Sequence, residues 1–120
     1  MTQRIHIDSQ ADDYITRAMK VGILTANLSG ISPNDVKYKG ILGLNVFSSL
    51  LGNYIANEII GDNPDIPKEP MSGLIQGMFK SFCTDGSFDT IIRETLVMGG
   101  AEMMAGSISM SNIPSNPFIA

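Results

Sequence analysis

The chain offers one thiol and one imidazole, Cys83 and His6, as a possible nucleophile and base. A cysteine attacks a carbonyl carbon when a neighbouring histidine takes its proton and nearby donors stabilise the oxyanion. His6 stands close to the amino terminus, whereas Cys83 ends a predicted helix in the second half of the chain. A cysteine at a helix end is more often a small packing residue, so we predict no catalytic pair.

Three carboxylates, Asp62, Asp65 and Glu69, stand close enough in sequence to suggest a calcium site. Their spacing does not match the EF-hand loop, and the prolines between and beside them oppose wrapping around an ion. One histidine and one cysteine are too few for a zinc site. The glycines form neither the dinucleotide-binding pattern nor the P-loop pattern. The sequence therefore predicts no catalytic, metal or cofactor site and favours a non-enzymatic protein.

Composition narrows the choice of partners. The 120 residues are 43% hydrophobic but only 17% charged, and the net charge is −4. Charged residues usually make up about a quarter of a globular domain, so this deficit favours burial of the surface in a homo-oligomer, with other protein subunits as possible partners. Nucleic-acid binding needs a basic surface, and an acidic chain is repelled by anionic membranes. We expect no nucleic-acid partner.

The amino terminus lacks the apolar run and cleavage site of a signal peptide, and a single cysteine forms no intrachain disulfide. Both features predict a cytoplasmic protein or a part of a soluble assembly.

Helix signals predict an all-α fold: a single four-helix bundle-like domain over residues 1–120, arranged around a long central helix. Capping serines and stop glycines place the helices at about 9–29, 32–60, 71–83 and 88–105. They form a helical core over residues 9–106. Residues 1–8 and 107–120 lie outside it and contain short alternating stretches, which predict extended, possibly β, arms.

The central helix, predicted from Ser32 to Gly61, carries no charge between Gly40 and Asn57. Its glycines favour a kink, or a break near Gly40. The eighteen uncharged residues approach the length of a membrane span, but three Asn, two Ser and three Gly among them disfavour hydrocarbon. We expect a helix that is buried in protein.

The central helix has an apolar face, which we assign to the core of the subunit, and two leftover rows without charge. The apolar face comprises Val36, Leu44, Phe47, Leu51, Ile55 and Ile59. The leftover rows comprise the small residues Ser48, Gly52 and Ala56 and the polar residues Asn45, Ser49, Asn53 and Asn57. Small residues let another backbone approach, and amides pair without the desolvation cost of ions. These seven residues are the predicted interface between subunits.

The predicted function is that of a non-catalytic assembly subunit, which self-associates through its central helix and its terminal arms. Such subunits build virions, filaments or secretion machinery. The arm residues predicted to contact neighbours are Ile5, Ile7, Ile108, Met110 and Phe118. One alternative is a protein that binds a small molecule or peptide in a pocket lined by Asn45, Asn53, Tyr54 and methionines. A second alternative is a membrane-active helical hairpin.

Overall fold

The computed structural model describes residues 2–61, 63 and 65–117, and the side chains within those ranges from residue 14 onward. The described residues form four α-helices and one short 3-10 helix, with no strand among them. The helices are α1 (Thr2–Leu28), α2 (Tyr38–Ile60), α3 (Lys68–Cys83) and α4 (Phe88–Ala105), and the 3-10 helix is Met110–Asn112. The all-α prediction is confirmed.

The four helices pack in a ring around a common interior. Helix α1 packs on α2 and α4, and α3 packs on the same two neighbours, so that helices at opposite corners scarcely touch. The apolar part of the interior lies mainly between α1 and the halves of α2 and α4 that face it, around Val21, Ile23, Leu42 and Met98. Within the described ranges, no helix is both long enough and apolar enough to cross a bilayer.

Helix ends with strong local signals lie where the sequence predicts them. Gly30 takes a positive φ of 74°, and the Ile31 amide donates to the Ala26 carbonyl at 3.1 Å, which closes the last turn of α1. At the start of α4, the Ser87 hydroxyl accepts from the Thr90 amide at 3.1 Å. Helix α3 begins three residues earlier than predicted, at Lys68.

The predicted start of the central helix at Ser32 is wrong. Helix α2 begins at Tyr38, and residues 32–37 form turns instead. The Ser32 hydroxyl accepts from the Asn34 amide at 3.2 Å, and an Asp35 carboxylate oxygen accepts from the Lys37 amide at 2.9 Å. These short-range bonds give the backbone an alternative to helical hydrogen bonds. Gly40 lies inside α2 and does not break it.

The extended arms are not confirmed. The backbone of residues 2–8 belongs to α1, and the side chains of Ile5 and Ile7 lie outside the described residues, as does Phe118. Residues 107–117 form turns that fold back onto the bundle. The Ile113 side chain is buried in the core cluster, with Ile108 and Met110 packed against it. Ile108 and Met110, two of the residues predicted to reach neighbouring subunits, therefore pack on their own chain.

Candidate functional site

The two rows of α2 that were predicted to contact other subunits face the interior of the same chain. Asn45, Ser48, Ser49, Gly52 and Ala56 are buried, and Asn53 and Asn57 are half-buried. A Cβ added to Gly52 would lie 2.4 Å from Gln76 Cγ and 3.0 Å from the Ser72 carbonyl oxygen. The small-residue row does allow close approach of another helix, but that helix is α3. The predicted location of the interface is corrected accordingly.

Two residues of the polar row, Ser49 and Asn53, donate to a buried carboxylate in α4. Glu102 is fully buried, and its Oε1 accepts hydrogen bonds of 2.8 Å from Ser49, Asn53 and Gln76. Its Oε2 accepts from Arg17 Nε at 2.6 Å, and Arg17 Nη2 also donates to the Glu102 carbonyl oxygen at 2.6 Å. We call this group of five side chains the Glu102 centre.

Each of the four helices supplies at least one side chain to the Glu102 centre. A buried carboxylate without donors would be very costly, whereas this one has both oxygens occupied by donors from three other helices. The bonds can form only when the four helices are in one relative register. Because its acceptor positions are filled, Glu102 is a structural anchor and is poorly placed to act as a general base.

A second buried ion pair lies two helical turns away on α4. Lys80 Nζ donates to Glu94 Oε1 at 2.6 Å, and both side chains are about nine-tenths buried. Arg93 Nε stands 3.5 Å from the other Glu94 oxygen. Near this pair, Asp85 accepts from the Ser87 amide and from the Thr90 hydroxyl, both at 3.0 Å. The Ser87 amide, followed by the Thr90 hydroxyl, lowers the pKa of Asp85.

Apolar side chains lie on the outside of the bundle, where the sequence predicted core. In the region predicted as the core face of the central helix, Val36 is 95% exposed, and Phe47 and Ile59 are also exposed. Leu44, Leu51 and Ile55 of that face are half-buried. The assignment of this face to the core is therefore wrong, because the interior beside α2 is filled by the hydrogen-bonded centre.

Seven large apolar residues are exposed on the outer side of α3 and α4. We call these residues the outer α3–α4 face: Leu74, Met78, Phe82, Phe88, Ile92, Leu96 and Met103. Phe82 is 84% exposed, and Phe88 and Leu96 are each 72% exposed. With roughly 170 Å² for a fully exposed residue of this size, the face presents about 700 Å² of mainly apolar surface. The largest apolar patch on a typical monomer is about 300–600 Å².

Close packing of the two helices makes this face continuous. A Cβ on Gly73 would lie 2.6 Å from Gly99 Cα, and a Cβ on Gly77 would lie 2.7 Å from the Thr95 amide nitrogen. These glycines bring the backbones together, so the neighbouring side chains Leu74 and Leu96 cover adjoining parts of one surface. None of its seven residues carries a charge.

The structure does not bring together the residues of the other predicted sites. Asn45 donates to the Gly22 carbonyl, Asn53 lines a cavity of about 440 Å³ beside Arg17, and Tyr54 points outward. The predicted ligand pocket with these three residues together is thus absent from the described structure. The side chain of His6 and residue Asp62 lie outside the described residues. Within the described part, no three potential His, Cys, Asp or Glu ligands gather around one point.

Sequence reasoning missed Arg17, Gln76, Lys80, Glu94 and Glu102. A signal for one of them was present: Glu102 is the only charged side chain between Thr95 and the carboxyl terminus, and it is surrounded by Gly, Ala and Met. A lone charge in such a helix requires a buried partner or a specific surface role.

Comparison of the chain with family models, curated proteins and solved structures finds no match.

Proposed function

We propose that this chain is a non-catalytic subunit of a protein assembly, and that it self-associates through the outer α3–α4 face. The observation that carries the proposal is the distribution of polarity. Hydrogen-bonded polar side chains occupy much of the interior, while seven large apolar side chains face outward together. Burying such a surface is the main driving force for protein association.

The size of the outer α3–α4 face suits a stable contact. A standard protein interface buries about 800 Å² on each partner, and this face offers about 700 Å². If two copies pair about a two-fold axis, the same patch serves both, as is usual in homodimers. Uncharged patches avoid the like-charge repulsion that a chain of net charge −4 would otherwise meet.

The outer side of α2 supplies a second apolar region. Phe47 contacts Phe79 of α3 with ring centroids 5.5 Å apart, and a shallow groove beside it is lined by Leu50, Leu51 and Tyr54. Two separate exposed apolar regions would allow a subunit to bind more than one neighbour. This supports participation of the central helix, through the opposite face from the one that its sequence suggested.

A protein partner fits this surface better than a membrane does. Peripheral membrane helices combine an apolar face with Lys and Arg that attract anionic lipid. The exposed charged residues of α3 and α4 are Lys68, Glu69, Asp89 and Arg93, and their charges sum to zero.

Sedimentation equilibrium of the purified chain tests the proposal. We expect a mass above that of one 12.9 kDa chain at tens of micromolar, and a monomer for the double variant Phe82→Ser/Leu96→Gln. The matched control is Val36→Gln, which removes an equally exposed apolar side chain from the turn before α2 and should leave the mass unchanged. A monomeric wild type, or flotation of the wild type with phosphatidylcholine vesicles, would refute self-association as the role of this face.

A further inference from the structure

The end of the bundle where α1 and α3 finish contains a cavity of about 700 Å³. Its walls are apolar and come from Leu28, Ile31, Ile41, Leu44 and Val97. Its polar side is formed by Lys80, Glu94 and Arg93, with Thr84, Thr90 and Asp85 beside them. Cavities of this size between helices of a bundle are typical small-molecule sites. We call it the end cavity.

The polar side of the end cavity has more hydrogen-bond donors than acceptors. An ammonium group has three N–H donors, yet Lys80 Nζ has one acceptor among the described residues, Glu94 Oε1. Lys80 is 7% exposed, so bulk water has little access to the remaining donors. The Arg93 guanidinium meets Glu94 only through Nε, at 3.5 Å. The remaining donors of the buried Lys80 need an acceptor that enters from the cavity. The Arg93 side chain is 66% exposed, so its donors are solvated and available to the same acceptor.

The nearby oxygens are already used. The Thr84 hydroxyl donates to the Lys80 carbonyl at 2.8 Å, and the Thr90 hydroxyl donates to Asp85. Asp85 is negatively charged, but both of its oxygens accept bonds from the first turn of α4. In the described part, Lys80 Nζ donates to no protein oxygen other than Glu94 Oε1.

We propose that the end cavity binds an amphipathic carboxylate, with its hydrocarbon body against the apolar walls and its carboxylate between Lys80 and Arg93. Carboxylate oxygens are strong acceptors for both cations. The walls offer the aliphatic surface that a hydrocarbon chain buries favourably. This site is separate from the outer α3–α4 face, since Val97 faces the cavity while its neighbour Leu96 faces outward.

Titration with decanoate, decanol and decyltrimethylammonium tests the proposal on the full chain. Calorimetry gives the affinity, and NMR of the methyl groups gives the location. We expect decanoate to bind best and to shift the methyl signals of Ile31, Ile41, Leu44 and Val97. Arg93→Gln should weaken decanoate binding roughly tenfold. The exposed cation Lys68, at the start of α3, supplies the matched control Lys68→Gln, which should bind as wild type does.

The double variant Lys80→Met/Glu94→Gln removes both members of the buried pair without leaving a lone charge. It should fold, as thermal denaturation would show, and it should lose the preference for decanoate over decanol. Equal binding of decanoate and decyltrimethylammonium would overturn the proposal. So would the absence of binding heat, or methyl shifts confined to Leu74 and Leu96. The variant Phe82→Ser/Leu96→Gln should keep decanoate binding, which separates this site from the association face.

Discussion

The two buried carboxylates of α4 differ in how completely the protein surrounds them. Glu102 is contacted by donors from three other helices, and both of its carboxylate oxygens accept hydrogen bonds from the protein. Glu94 has one short bond, to Lys80, and one long contact, to its neighbour Arg93. The first arrangement is closed and fixes the register of the bundle. The second is open, since its lysine has donors to spare beside a cavity.

Removing the closed carboxylate should have the largest effect on stability. Glu102→Leu would leave Arg17, Ser49, Asn53 and Gln76 without their shared acceptor, and we expect a loss of about 3–5 kcal/mol in the free energy of unfolding. Glu94→Leu should cost less, about 1–3 kcal/mol, because it removes one short bond and one long contact instead of four short bonds. Urea denaturation measures both. An equal or larger loss for Glu94→Leu would mean that the two sites do not differ in this way.

A bulky residue at Gly52 tests whether the wall of the closed centre is part of the fold. Gly52→Leu would push against Gln76 and Ser72, and we expect a loss of about 3 kcal/mol from overpacking. Gly43 lies on the same helix with no heavy atom within 4 Å of its added Cβ. Gly43→Leu is therefore the control, and it should leave stability unchanged or raise it slightly. Both are read from urea denaturation curves. If Gly52→Leu folds normally but fails to assemble, the small-residue row is an interface after all.

Rescue by a second substitution should separate the two ion pairs. Lys80→Met alone should cost about 2 kcal/mol, because Glu94 loses its partner, and adding Glu94→Gln should restore most of that loss. The corresponding pair Arg17→Met/Glu102→Leu should not recover, since Ser49, Asn53 and Gln76 still lose the hydrogen bond that each donates to Glu102. Melting temperatures of the two double variants, and of Lys80→Met and Arg17→Met alone, show whether this holds. Full recovery at the Glu102 centre would contradict its description as a network.

The smallest expected effect on stability is that of replacing Asp85, which lies beside the Lys80–Glu94 pair. Its pKa is lowered from its usual value of 3.8, chiefly by the Ser87 amide. A lowered pKa in the folded state means that ionised Asp85 stabilises the fold above the unfolded pKa, and that this stability is lost as pH falls through the folded pKa. Asp85→Asn should therefore be less stable than wild type near neutral pH, with the gap closing below about pH 4. Denaturation at several pH values measures the gap. If the stability difference between wild type and Asp85→Asn does not change with pH, the charge of Asp85 does not stabilise the fold.

Local sequence signals predicted well where the helices lie. The spacing of apolar residues predicted poorly which face of a helix is buried. Gly30 and Ser87 act through bonds to residues within one turn, so the ends that they mark were readable from sequence. Ser32 also forms local bonds, but these build turns and delay α2 to Tyr38. The start of a helix after such a serine depends on a competition between local bonds that sequence alone does not decide.

The inverted polarity of α2 required a contact over long sequence distance. Asn53 donates to Glu102, which lies 49 positions later, and no periodicity within α2 reveals that partner. The usual assumption that the apolar stripe faces inward placed Phe47 in the core and Ser49 at an interface. In the structure, Phe47 is exposed and Ser49 is buried. The end cavity could not be predicted from the sequence either, because its volume depends on how the four helices pack against one another.

The most direct test of the central claim is thiol labelling at two positions as a function of protein concentration. In a chain carrying Cys83→Ser, the substitutions Ser48→Cys and Leu96→Cys place the only thiol inside the bundle or on the outer α3–α4 face. We predict slow labelling at position 48 at every concentration. At position 96 we predict fast labelling in dilute solution that becomes slow as subunits associate. Protection that appears on concentration at position 48 and not at position 96 would contradict this account.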